Sequence, residues 1–418
     1  TTSIANLDDG EGKWTGVAFA PTTGKLYFSP KMADNVLIVD PLSNESDSTT
    51  VAGFPSGEYN WLSVIFIPTT EKLYFTPFQA ENVLVVDPQT NSSDITAISG
   101  VTDTGVYSGK WNAVVFVPSN GKLYFCPYNA DNVLIVDPIT NTSDTTTISG
   151  LGVGGYKWAG VVYVPTTGKL YFVPATANHV LVVDPLTNVT DNTALAGFSA
   201  GSSKWSGGVF VPTTGKLYFI PGNTLDILIV DPTTNSSDSR ALAAPSDSGY
   251  DWVGAVLDPT TNKVYFCPFN ADNVLVMDPL TNTSDLTTIA GMLGDVPNKW
   301  SDVVYVPTTG KLYFTPFDTG SVLIVASIVD PCVLKNCSSL CQSECGWQTE
   351  QTLCRSGAKT DSAENVARLG VCPTTSPSQI ISPSPTAIPS IFPSRVPSAW
   401  PSTHPSSPPT ILPSSTPS

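Results

Sequence analysis

A single pattern runs through most of this chain and leaves it few ways to fold. A unit of 47 to 50 residues restarts at Trp14, Trp61, Trp111, Trp158, Trp205, Trp252 and Trp300. Its consensus is KWxGVVYVPTTGKLYFxPxxADNVLIVDPxTNxSDxTTIxG. Four short runs rich in Val, Ile, Tyr and Phe lie in each unit, bounded by Pro, Gly, Asn or Asp, which is the signature of strands joined by turns. Strict repetition at this period means that each unit is one structural module, stacked on its neighbours.

Both faces of the runs are apolar. Val161, Val162, Tyr163 and Val164 follow one another without a polar residue. A sheet buried on both faces suits blades packed around an axis, where each blade lies between two others. The seventh unit has the third run, Val322 to Val325, but nothing like TNxSDxTTI after it. The start of the chain supplies the missing piece, because Thr1-Thr2-Ser3-Ile4 matches Thr146-Thr147-Ile148 and Thr287-Thr288-Ile289. The expected fold is therefore an all-β, seven-bladed β-propeller over residues 1–327, with residues 1–5 completing blade 7 and closing the ring. A small disulfide-rich module (328–372) and an extended polyproline-II tail (373–418) are expected to follow.

The order VxYxPxxGKLYF…NVLVVDPxTNxxxxTI resembles the YVTN-type and related NHL-like repeats of seven-bladed propellers, and it does so in all seven units. The resemblance implies the fold. It implies little about function, since propellers host enzymes, lectins and scaffolds alike.

Charged residues make up 13% of the chain, with 35 acidic against 19 basic, for a formal charge of −16. That balance excludes phosphate-backbone recognition, so no nucleic-acid partner is expected. No apolar run approaches the ~18 residues of a membrane span. Thr1 opens inside a repeat with no signal segment ahead of it, as in a processed protein or a fragment.

The seven tryptophans could form a ring of platforms for sugar stacking. They could equally wedge between blades. A ligand site usually singles out some blades, and recurrence in all seven favours the wedge. Paired aspartates recur in the turns (Asp40 with Asp47, Asp87 with Asp94, and so on through Asp278 with Asp285). They fit calcium ligation, but D-P-x-T-N is also ordinary turn-capping chemistry, which is favoured. The only histidine of the propeller, His179, stands where other units have Asn. No nucleophile elbow, H-E-x-x-H or phosphate loop occurs. With no blade set apart, the chain is expected not to be an enzyme and to need no cofactor or metal.

N-x-[ST] recurs at Asn44, Asn91, Asn141, Asn188, Asn235 and Asn282, always at the same place in the unit. The middle residue varies, and Thr190 replaces Ser with the motif intact. A turn needs the Asn but not the hydroxyl, so N-glycosylation is expected there, with a further motif at Asn336. Cys126 and Cys267 are expected as buried core residues. Cys332, Cys337, Cys341, Cys345, Cys354 and Cys372 crowd together without His or paired C-x-x-C, which points to three disulfides of undetermined pairing. The segment around Glu344-Cys345-Gly346-Trp347 looks like small Cys-rich modules of secreted microalgal proteins.

From Pro373 the chain changes character, and proline recurs every fourth residue at Pro385, Pro389, Pro393, Pro397, Pro401, Pro405, Pro409, Pro413 and Pro417, each followed by Ser or Thr. Such a chain is expected to be polyproline II, and its 46 residues would reach roughly 140 Å. It resembles the hydroxylated, O-glycosylated stalks of algal wall and surface glycoproteins. Apolar residues precede many of the prolines (Ile388, Phe392, Val396, Trp400, Leu412), which a bare spacer would not need. The leading expectation is an extracellular structural glycoprotein, a homo-oligomer or polymer that self-assembles into a filament or surface layer, with its tail docking on a neighbouring copy. The alternative is a carbohydrate-binding adhesin that uses the Trp-bearing face, with the tail as stalk.

Overall fold

The computed structural model describes residues 1–7, 10–102, 109–199, 201, 203–224, 226–243, 250–291 and 296–327, and the strand backbones at 347–348, 353–355 and 369–371. The chain divides into two compact units, Thr1–Leu334 and Lys335–Ser418. In the second, Trp347–Gln348, Leu353–Arg355 and Leu369–Val371 form a three-stranded antiparallel sheet. The cysteine side chains from Cys332 to Cys372, Asn336 and the Pro/Ser tail lie outside the described residues.

The first unit is a seven-bladed β-propeller of seven four-stranded antiparallel sheets. Blade 1 runs outward from the axis as Trp14–Ala20, Lys25–Pro30, Leu37–Asp40 and Glu45–Asp47, and the other blades repeat the plan. Blade 7 takes its outer strand from the N-terminus: Thr2 lies opposite Ile324, Ser3 opposite Leu323 and Ile4 opposite Val322. Every inner strand carries a register shift just after its Trp, a bulge that re-aims the side chains nearest the axis.

There is no single core. Seven apolar clusters each bridge two neighbouring blades. The one at the seam joins Val306, Tyr313 and Val322 of blade 7 to Trp14, Leu26 and Leu37 of blade 1, with Ile4 of the closing strand packed among them. This is why both faces of every strand are apolar. Burial at about 25 cal/mol per Å² needs a neighbour on each side, and only a closed ring gives every blade two.

A tyrosine latch reinforces six of the seven joints. In the KLYF strand the Tyr hydroxyl donates to the carbonyl of the turn proline in the next blade: Tyr27 to Pro88, Tyr74 to Pro138, Tyr124 to Pro185, Tyr171 to Pro232 and Tyr218 to Pro279. Tyr313 closes the ring onto Pro41 at 3.1 Å. A buried phenol needs such a partner.

Antiparallel order gives the ring two different faces. The PTTG-type turns of all seven blades and the DPxTN turns of blades 1 to 6 lie at one end. The loops leaving the second strand and those entering the next blade lie at the other.

Candidate functional site

The tryptophans stand at the loop-bearing face, but they are interior. Their exposure runs from 0 to 3%, and each indole N–H donates to a backbone carbonyl 21 residues on, such as Asn35 (3.1 Å) for Trp14 and Ser321 (3.0 Å) for Trp300. The less favoured reading, a sugar-stacking ring at Trp14, Trp61, Trp111, Trp158, Trp205, Trp252 and Trp300, is thereby corrected, since no indole face is open to a ligand. The lysines before them are also tied inward. Lys110 Nζ donates to Gln79 and Ala80 carbonyls, Lys157 Nζ to Ala130, and Lys299 Nζ to Asn270.

A different set of aromatics surrounds the axis. The residue after the proline that ends each second strand is Lys31, Phe78, Tyr128, Ala175, Gly222, Phe269 and Phe317 in blades 1 to 7. Tyr59, Tyr156 and Tyr250, each two residues before a Trp, add to it. The rings form two arcs. Tyr59 meets Phe78 (6.4 Å), Phe78 meets Tyr128 (5.8 Å) and Tyr128 meets Tyr156 (4.9 Å). On the other side Phe269 meets Phe317 (5.3 Å). Lys31 joins the arcs, its ammonium 4.3 Å from the Tyr59 ring centre and 4.2 Å from that of Phe317, a cation–π sandwich.

This collar opens into the central channel, a cavity of about 490 Å³ lined chiefly by the second and third residues of the inner strands. The third residue is small in six blades (Gly16, Ser63, Ala113, Gly160, Gly207, Gly254) because inner strands converge there. A Cβ on Gly16 would lie 2.8 Å from the Leu62 carbonyl oxygen. Blade 7 alone has a charged residue, Asp302. Gly254 makes room for it: it sits at φ +79°, and a Cβ there would fall 2.9 Å from Asp302 Oδ1. The carboxylate accepts N–H bonds from Val303 (2.8 Å) and, more weakly, Val17 (3.4 Å). Burial pushes its pKa up to about 7 against those two N–H groups. Burial likewise lowers Lys31 to about 8, with Asp318 nearby working the other way, and raises Tyr128 to about 12, so its hydroxyl stays a donor.

Two collar positions carry backbone strain. Tyr156 and Tyr250 have φ of 55° and 54°, a left-handed conformation costly for bulky residues. Gly12, Gly109, Ser203 and Asn298 adopt it at the equivalent place in the other blades that share this turn. Small residues serve the turn there, so the bulky tyrosines answer another need. Tyr156 is 51% exposed and does not recover the cost by burial.

The opposite face carries the sequons. Asn44, Asn91, Asn141, Asn188, Asn235 and Asn282 occupy one turn position, all with φ between 52° and 60°, where Asn is tolerated. The hydroxyls two residues on, at Ser46, Ser93, Ser143, Thr190, Ser237 and Ser284, are exposed and make no hydrogen bond among the described residues. The turn aspartates cap local backbone instead. Asp40 Oδ1 accepts from Leu42 N–H at 2.8 Å, and Asp47 Oδ1 from Thr49 N–H at 2.8 Å. Among the described residues no group of three or more His, Cys, Asp or Glu could hold a metal ion. His179 lies off the axis, its ring against Trp158 and its Nδ1 3.0 Å from Asn178 Oδ1. Cys126 and Cys267 are buried free thiols.

The repeat had concealed the collar and Asp302. Consensus reading discards what differs between units, and these residues are the differences. Aligning the second residue after each Trp displays Asp302 at once.

No family model and no curated protein matches the chain. Solved structures do. The chain superposes on a streptogramin B lyase with TM-score 0.60 and 13% identity, covering 78% of this chain and 97% of that one. Virginiamycin B lyase from Staphylococcus aureus gives 0.61 and 11%, covering 77% and 98%. The extracellular domain of a one-component system from B. thetaiotaomicron gives 0.56 and 12%, covering 76% of this chain and 41% of that one. At these identities the likeness is one of fold. It still overturns the expectation that the chain is not an enzyme, because rings of this shape include lyases and one blade here is set apart after all. Among the described residues no helix is long and apolar enough to cross a membrane.

Proposed function

We propose that this chain is an extracellular glycoprotein whose propeller receives a glycan at the aromatic funnel, with its own N-linked sugars on the opposite face. The observation that carries this reading is the collar. Phe78, Tyr128, Tyr156, Phe269 and Phe317 offer apolar faces with polar edges around a channel mouth, the surface that stacks on pyranose rings. Two of its members hold a strained backbone that glycine relieves in two other blades. The carbohydrate-binding reading thus keeps the Trp-bearing face but moves from tryptophan to tyrosine and phenylalanine. Sequon hydroxyls with no structural duty support glycosylation at all six turns, and peptide mass mapping before and after deglycosylation checks it. A glycan-array screen of the full chain beside Tyr128→Ala tests the funnel. Binding should fall at least tenfold in the variant, and unchanged binding or an empty array would sink the reading.

A second reading, self-assembly into a filament or layer, is favoured by exposed apolar residues on the sequon face: Leu42 (74% exposed), Ile139 (66%), Leu186 (66%) and Leu280 (65%). The Pro/Ser tail with its apolar residues would supply the other half of the contact. Electron microscopy of the full chain beside one ending at Cys372 decides it, since polymers formed by the shorter chain would remove the tail from the account. Three disulfides among the six clustered cysteines remain part of this proposal.

A further inference from the structure

We infer that the funnel binds a ligand bearing an ammonium group, with the cation held over the collar rings and paired with Asp302. The inference rests on the reading of the funnel as a binding site and adds the charge of what enters it.

Three observations carry it. Among the described residues Asp302 is the one acidic side chain lining the channel, at a position where six blades have Gly, Ser or Ala. Among the described residues its carboxylate receives only the N–H groups of Val303 and Val17, and no Lys or Arg pairs with it. A carboxylate kept inside a protein without a cation costs free energy, so the site is completed by one arriving from outside. Second, the mouth above it is built of ring faces, which attract cations. Third, the collar already holds an ammonium, since Lys31 Nζ rests about equally far from Tyr59 and Phe317. The same geometry between other rings suits a ligand cation. Quaternary ammonium is the best fit, because it has no N–H to satisfy and gains most from aromatic faces.

The charged and titratable groups that face the funnel act together. Lys31 and Asp318 stand at the rim, Tyr59, Tyr128 and Tyr250 in the wall, and Asp302 in the channel, with the Cys267 thiol buried behind it. Asp302 gains its negative charge as pH rises through about 7, and Lys31 loses its positive charge through about 8. Both changes favour a cation, so affinity should climb across that window.

The test uses the full chain, choline as probe, and the neutral alcohol in which carbon replaces the choline nitrogen. By calorimetric titration, choline should bind at least about tenfold tighter than the neutral alcohol at about pH 8.5, and this preference should shrink toward unity at about pH 6. In Asp302→Ser, which copies Ser63 of blade 2, the preference at about pH 8.5 should fall to the smaller part that the collar rings supply. A preference that is absent at the higher pH, or that is undiminished in Asp302→Ser, overturns the inference. Glycan binding on the array together with failure of choline removes the ammonium site and leaves the glycan reading. Choline binding with an empty array does the reverse.

Discussion

The two faces of the ring are built from the same repeat and have opposite chemistry. On the turn face the carboxylates are satisfied several times over. Asp47 is held down to about 2, chiefly by the Thr50 hydroxyl and then by backbone N–H groups of the same turn. Asp144 and Asp285 stand equally low, because their Thr and N–H partners outweigh burial. On the collar face Asp302 has two N–H partners and a pKa near 7. Repetition optimised the turn face blade by blade. The collar face differs from blade to blade, as the proposed site for an asymmetric ligand would.

The largest effect expected comes from the joints, which serve both faces. Trp111 is fully buried, and Trp111→Ala should cost about 3–5 kcal/mol in urea unfolding. A loss below about 1 kcal/mol would mean that the indole is not a wedge.

Next comes the contrast between carboxyls. Because the folded pKa of Asp302 lies above its unfolded value, its contribution is full below about pH 4 and is lost as pH rises through about 7. Asp302→Ser should therefore stabilise the ring at about pH 8 by roughly 1–3 kcal/mol, discounted for solvent in the open channel. The gain should vanish below about pH 4. The turn aspartates run the other way: their stabilisation is present above about pH 4 and is lost as pH falls through about 2, in wild type and variant alike. Thermal melts across pH separate the two, and a single shared profile would erase the contrast.

A smaller effect is expected at the seam. Tyr313→Phe removes the latch to Pro41 and leaves that carbonyl unpaired, at about 1 kcal/mol. Because the bond joins blades 7 and 1, hydrogen exchange should quicken first in Thr2–Ile4. Uniform quickening around the ring would show that the closing strand is not the weak point.

The smallest lies at the tip of blade 2. Glu71 has φ 55° where five blades place glycine, so Glu71→Gly should stabilise by about 0.5–1 kcal/mol without touching ligand binding. A destabilised variant would mean that the glutamate side chain has a partner worth more than the strain.

Much of this molecule was legible in the repeat. Period, apolar runs on both faces and the split seventh unit determine seven blades and the strand exchange that closes them, because a two-sided sheet has no other way to bury itself. The sequon turns were legible too, since a turn and a glycosylation motif are local in sequence. What only the tertiary structure decided is which aromatics face inward and which line the mouth of the channel. Trp14 and Tyr59 read alike as large apolar residues near a strand start. The bulge and the closing of the ring bury the first and leave the second on the collar. Asp302 looks like one surface acid among 35 until seven strands meet at an axis. Among the described residues it becomes the channel's one carboxyl because residues some 47 positions apart, each unremarkable alone, are brought to the same few ångströms.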